Sequence, residues 1–300
     1  MFSRLGPGVM AGVTAYLLWG LLPLYWPLLE PAGPLEILAH RIVWSLLMVL
    51  ALMAALKGLG WIREMDRRQV RLLALASVLV AINWGMYIYG VNSERVVETS
   101  LGYFINPLVT VALGVLVLKE RLHPAQRWAV LIAFAAVVVL TLDYGRPPWI
   151  ALTLACSWGL YGLVKKRADV DALESLSVET AVLTLPALGF IAVLSLSGEG
   201  TATTEGTGHL ALLVGSGVMT AVPLIFFGAA AVRVPLVQLG LLQYIAPTMQ
   251  FLIGVLVYDE AMPLARLAGF ALVWLALVVF ATDAARRSRL PVTALPEPAT

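Results

Sequence analysis

The chain is expected to be an all-α integral membrane protein, and three observations carry that expectation. Hydrophobic residues fill 60% of its 300 positions and charged residues only 13%, against about a quarter charged in an ordinary soluble domain. A soluble protein of this length needs a charged outer surface that this sequence does not supply. The apolar runs between the charge clusters are continuous and do not alternate with period two, which argues against a β-barrel. Thirdly, a short module occurs twice. Gly102-Tyr103-Phe104-Ile105-Asn106-Pro107, an apolar run and Lys119-Glu120 return as Gln243-Tyr244-Ile245-Ala246-Pro247, a second apolar run and Asp259-Glu260. Leu18-Trp19-Gly20 is echoed by Ser157-Trp158-Gly159 at nearly the same offset. Duplicated halves built from membrane-length segments are a common ground plan of small-molecule transporters.

Crossing the hydrocarbon takes about 20 apolar residues. That criterion gives ten candidate spans: 8–26, 36–56, 70–90, 99–118, 127–143, 149–165, 173–194, 209–230, 237–257 and 264–282. The opening segment lacks a basic stretch and a small-residue cleavage signal, so it reads as a retained span. The separation of 127–143 from 149–165 rests on Asp143-Tyr144-Gly145-Arg146-Pro147-Pro148, a strong turn composition. The expected fold is therefore ten transmembrane helices in two inverted five-helix repeats. Residues 1–145 form the first repeat, 146–285 the second, and 286–300 a disordered tail.

Basic residues orient these spans. With the N-terminus inside, sixteen lysines and arginines fall on the inner side, and Arg41, Arg95, Arg146 and Arg266 on the outer. That bias places both termini in the cytoplasm. It also explains the net charge of +2 without nucleic-acid binding. The stretch 196–208 reads as an outer connector without side chains large enough to pack; a lid is the alternative.

No enzyme motif, phosphate loop or zinc-ligand cluster is present, and the lone Cys156 offers neither a disulfide nor a cysteine metal site. No cofactor or metal is expected, and the chain does not read as an enzyme. His123 and His209 lie at span ends, where solvation explains them. His40 differs. Glu36, His40 and Trp44 are spaced i, i+4, i+8 and share one face of the second span, with Arg41 to the side. Charge at this depth is costly unless it is paired or faces water, so this face is a candidate lining of a cavity; snorkelling to the headgroups is the alternative. His40 can titrate near neutral pH and is a candidate proton carrier.

Asn83 and Tyr87 stand one turn apart in the third span and have no polar counterparts in the second half. Pro107 and Pro247 lack an amide donor and are expected to bend or break their helices. Tyr103, Asn106, Gln243 and Tyr244 lie nearby to satisfy freed carbonyls. Trp19 and Trp158, each followed by glycine, suit a planar or amphipathic organic solute.

These strings resemble one family. Trp19-Gly20 with Pro23-Leu24-Tyr25-Trp26, Glu36-Ile37-Leu38-Ala39-His40-Arg41, Leu101-Gly102-Tyr103-Phe104-Ile105-Asn106-Pro107 and Gln243-Tyr244-Ile245-Ala246-Pro247 are similar to the RarD proteins. These are bacterial members of the EamA group in the drug/metabolite transporter superfamily. The likeness runs from about residue 6 to 285. It implies a carrier in the inner membrane, commonly an exporter of small metabolites or drugs. The fourth and ninth helices would flank a central cavity and the fifth and tenth would lie outside it. Expected partners are a small organic solute, lipid and, with His40 as carrier, protons. A receptor, a scaffold or a membrane-embedded enzyme is the rival reading.

Overall fold

Proline and glycine set the first boundaries. Pro7 stands at the first position of helix α1, Pro7–Gly20, where its missing amide leaves no helical bond unmade. Pro23 and Pro27 then hold the chain in two short 3-10 turns, Leu22–Leu24 and Trp26–Leu29. Pro34 opens α2, Pro34–Leu56. Helix α3, Arg67–Asn92, begins with a reciprocal cap: Asp66 Oδ1 accepts the Gln69 amide at 2.7 Å and Gln69 Oε1 accepts the Asp66 amide at 3.1 Å. Then follow α4 Val96–Leu118, α5 Pro124–Tyr144, α6 Trp149–Ala168, α7 Ala172–Ser197, a one-turn α8 Thr201–Thr204, α9 Gly206–Ala231, α10 Ile245–Leu256 and α11 Leu264–Ser288.

In this computed structural model the described residues are 6–56, 60–63, 65–118, 124–170, 172–231, 233 and 242–288, with some helix side chains, Pro107 among them, outside the description. Lys119, Glu120, His123 and the tail from 289 lie outside the described residues. Arg286, Arg287 and Ser288, expected in the tail, belong to α11.

The structure corrects the expected ten transmembrane helices in two five-helix repeats. Among the described residues, six helices are long and apolar enough to cross a membrane: 7–24, 34–55, 67–92, 127–144, 173–197 and 206–227. Trp149–Lys165, Ile245–Leu256 and Leu264–Val279 are shorter apolar helices of 10–17 residues. Lys165 ends the apolar run of α6, and residues 234–241 ahead of α10 lie outside the described residues. The fold is an all-α, multi-pass helical bundle.

The proline expectation changes too. Pro247 lies in the first turn of α10, where amides have no helical acceptor, so it opens a helix rather than bending one. Pro107 falls within α4, helical from Val96 to Leu118. Pro186 in α7 and Pro223 in α9 sit inside helices, within the expected spans 173–194 and 209–230.

The bundle exposes large apolar side chains and buries several charged and polar ones within a mostly apolar core. Leu142, Leu185, Leu196 and Phe134 are exposed, while Glu36, His40, Arg41, Asn83, Glu98 and Glu179 are buried. This inversion of the soluble pattern suits a lipid exterior. Helix α2 packs on α7 and α9, α1 on α9 and α10, α4 on α6 and α10, and α3 on α6; α5 runs along α11. Glycine permits two of these approaches. A Cβ on Gly102 would stand 2.9 Å from the Ala151 carbonyl oxygen in α6, and one on Gly217 would stand 2.6 Å from the Trp44 carbonyl carbon in α2.

The 196–208 segment is not an unpacked connector. Thr201 is buried, and its amide and hydroxyl donate to Glu36 Oε1 at 2.8 and 3.0 Å. His209, expected to be solvated, is buried with Nε2 2.8 Å from Thr201 Oγ1.

Candidate functional site

Arg41 is the centre of the buried polar interior. It projects from α2 and is only 4% exposed. Its Nε donates to Thr220 Oγ1 of α9 at 3.0 Å. The guanidinium carbon lies 4.0 Å from the Trp84 ring centroid in α3 and 5.2 Å from that of Trp26. Cation–π contact and one hydroxyl acceptor offset part of the cost of burying the charge. Tyr87 and Tyr103 lie within electrostatic reach of the same group, and their rings meet edge to face at 5.7 Å.

Asn83 locks this wall. Its amide donates to the Leu154 carbonyl at 3.0 Å and to Ser157 Oγ at 3.1 Å, and its Oδ1 accepts the Tyr103 hydroxyl at 3.4 Å. One side chain thus ties α3 to α6 and α4. The face expected to join Glu36, His40 and Trp44 is present in part: the Trp44 indole donates to His40 Nδ1 at 3.3 Å. Glu36 instead holds Thr201. Glu36 and Arg41 are both buried rather than reaching outward to headgroups.

Other expected residues lie apart. Tyr25 donates to the Leu212 carbonyl, and its ring lies 5.4 Å from Trp26. Trp19 packs between Tyr16 and Phe227 at 5.4 and 5.8 Å. Trp158 is 37% exposed and rests on Tyr161, away from the Arg41 cluster. Asn106 is buried in α4. Gln243 and Tyr244 form the turn before α10. Trp26, Trp84 and Thr220 were not expected; Trp84 adjoins Asn83, which was the available signal.

A second polar group closes one end of the bundle around a cleft of about 440 Å³. Glu98 pairs with Arg146 at 2.9 Å and accepts the Ile150 amide at 3.1 Å, capping α6. Asp143 pairs with Arg266 at 2.9 Å. Glu260 accepts the Val97 amide at 3.0 Å, capping α4 from the loop before α11. Tyr258 donates to the Pro23 carbonyl at 2.8 Å.

Burial pushes the Glu260 carboxyl up to about 7, helped by Glu98 and opposed by the Val97 and Val96 amides and Arg266. A raised carboxyl pKa means that its contribution to the folded state is complete below the ordinary carboxylate range and is lost as pH rises through the folded value. Unfolding temperature should therefore fall from about pH 4.5 to 7.5, and Glu260→Gln should flatten that fall. A profile that keeps its slope in Glu260→Gln would assign the titration to another group.

Metal chemistry has no candidate here: among the described residues no cluster of three His, Cys, Asp or Glu could hold an ion. An apolar-surfaced helical bundle with an aromatic-walled cation inside suits an integral membrane protein. The chain belongs to the RarD family of EamA-like drug/metabolite transporters. The sequence model of the EamA-like transporter family matches residues 6–142. Protein RarD of Streptomyces exfoliatus is 57% identical over 284 residues, covering 94% of this chain and 90% of that one. The uncharacterized transporter YojE of Bacillus subtilis is 44% identical over 91% of this chain and 93% of its own. Chloramphenicol-sensitive protein RarD of Pseudomonas aeruginosa is 33% identical over 95% and 96%. A solved crystal structure with 22% identity matches at a TM-score of 0.60 over 94% of this chain and 99% of that one, a likeness that speaks for the fold alone. The protein is a secondary transporter of a small organic solute across the bacterial membrane.

Proposed function

We propose that solute passes between α2, α3, α4 and α9, with Arg41 as the charged centre of the path. The observation that supports this most is a guanidinium held 4% exposed in a membrane bundle, with no described carboxylate in ion-pair contact. An unneutralised charge at this depth has a large desolvation cost, and such charges mark substrate and ion pathways. Trp84, Tyr87 and Tyr103 supply flat apolar faces for an organic body. Asn106, Tyr25, Trp19, Gln243 and Tyr244 extend the path along α4, α1 and α10, with Trp158 its most peripheral member. The family match ending at 142 supports a unit boundary near residue 145, between an EamA-like first unit and a second unit to about residue 285.

The end carrying Tyr258 and Glu260 faces outward in this reading, with both termini cytoplasmic in the inner membrane. Two observations support it: the sixteen-to-four distribution of basic residues, and the meeting of Arg95, Arg146 and Arg266 at one cleft. Single cysteines at Gly60, Ala202 and Leu290 in a Cys156→Ser background test it. A membrane-impermeant thiol reagent should label position 202 alone in intact cells; labelling at position 60 would overturn the orientation.

Export coupled to proton entry completes the proposal, with His40 as the carrier. Because Nδ1 accepts the Trp44 indole N–H, the neutral ring carries its proton on Nε2, and protonating Nδ1 would release Trp44. In proteoliposomes, saturable flux of a solute from a panel of amino acids, nucleobases and amphenicols is expected. His40→Gln should retain weakened flux and lose most of its pH dependence between about 5.5 and 8. No flux of any panel member by folded protein contradicts the transport path; an unchanged pH profile in His40→Gln moves the coupling elsewhere.

A further inference from the structure

Three buried groups that can donate a hydrogen bond, on Arg41 and two neighbouring side chains, are left without a partner. Arg41 Nη1, Trp26 Nε1 and Tyr87 Oη are each sealed from solvent and unpaired. A guanidinium and an indole can only donate, and a phenol donates readily. Trp26 touches the guanidinium through its ring, and Tyr87 lies in the same buried cluster as Trp26, so the three lie together. Buried donors without acceptors are costly and call for a ligand that brings acceptors.

Nothing described in the protein supplies them. Glu36, the carboxylate nearest in sequence on the same helix, binds the Thr201 amide and hydroxyl through Oε1 and makes no described ion pair with Arg41. Glu98 and Glu179 are paired with Arg146 and Lys165. Glu260 caps α4. The Asn83 carbonyl oxygen accepts from Tyr103. The cluster thus combines one permanent positive charge, two further donors and four aromatic rings.

We propose that Arg41, Trp26 and Tyr87 form a binding site for the carboxylate of a small organic monoanion, whose apolar body lies against Trp84 and Tyr103. A guanidinium presents paired N–H groups in the plane that a carboxylate matches. One cation fits one negative charge; a doubly charged phosphate ester would leave a charge uncompensated in the bundle. This inference rests on the proposed transport path through Arg41 and names the chemical class of its solute.

The test uses purified full-length protein in nanodiscs, with benzoate, phenylacetate and indole-3-acetate set against their uncharged amides. Binding is read from tryptophan fluorescence, which Trp26 and Trp84 report directly, and from thermal stabilisation. At least one carboxylate should bind at least about ten-fold more tightly than its amide. Arg41→Gln should abolish that preference, and Arg41→Lys should restore part of it. Unfolding temperatures without ligand show that each variant is folded. Equal affinity for acids and amides, no binding by any acid, or a preference that survives in Arg41→Gln would each overturn the proposal. Arg41-dependent flux of an uncharged solute would leave the transport path standing while the carboxylate assignment fell. Carboxylate binding without any flux would leave the site standing and remove the path.

Discussion

Arg41→Met is expected to reduce flux by about 100-fold while the unfolding temperature of the empty protein stays level or rises. The two effects have one cause. Methionine keeps most of the apolar stem that packs on Trp84 and Trp26, and it removes a charge whose burial no described carboxylate offsets. Replacing buried charge by well-packed apolar side chains is often neutral or stabilising by about 1–4 kcal/mol. Truncating one member of a buried charge pair in a complex costs about 2–5 kcal/mol, which sets the scale of the loss in flux. A residue kept for packing would behave oppositely: its loss would lower stability and leave transport per folded molecule intact. Unfolding temperature and proteoliposome flux measured on the same preparation separate the two.

Gly217→Ala is expected to destabilise the protein by about 1–3 kcal/mol, the usual cost of overpacking a filled contact. Its added carbon would fall 2.6 Å from the Trp44 carbonyl carbon and 2.8 Å from its oxygen. Those are backbone atoms of α2 and cannot step aside as a side chain can. Gly217 lies one turn before Thr220, so forcing α9 from α2 also separates Thr220 from Arg41 Nε. Flux should fall together with stability. Gly189→Ala is the control: nothing lies within 4 Å of its new carbon, and alanine is the better helix former, so it should be neutral or slightly stabilising. Equal outcomes for the two glycines would contradict the close approach of α2 and α9.

The helical membrane class was legible because the chain must satisfy its backbone within each apolar run. The span count was not, since hydropathy cannot show where a helix begins inside a run. Pro247 illustrates this: it was expected to bend or break a helix, and it stands in the first turn of α10, after the turn at Gln243 and Tyr244. Arg41 was legible as unusual from depth alone. Ile37, Leu38, Trp44 and Ser45 occupy the positions one turn away, so the absence of a partner on its own helix was visible as well. The walls around it were not, because Thr220 lies 179 positions away. The same holds for the closed end, where Arg146–Glu98 and Arg266–Asp143 join residues 48 and 123 apart. Glu36 was read as part of the charged path because it shares a helix face with His40 and Trp44. Its acceptors instead serve Thr201, in a segment whose small side chains suggested that nothing there would pack.

The path through Arg41 is tested most directly by Thr220→Cys in the Cys156→Ser background, labelled by a small water-soluble thiol reagent. Thr220 is 2% exposed and touches Arg41, so reagent reaches it only if the path opens to water during transport. The predicted result is measurable labelling in flux-competent proteoliposomes, slowed at least about ten-fold by saturating transported solute. Labelling indifferent to a solute that the same vesicles transport, or no labelling of a variant that still transports, would contradict passage through this site.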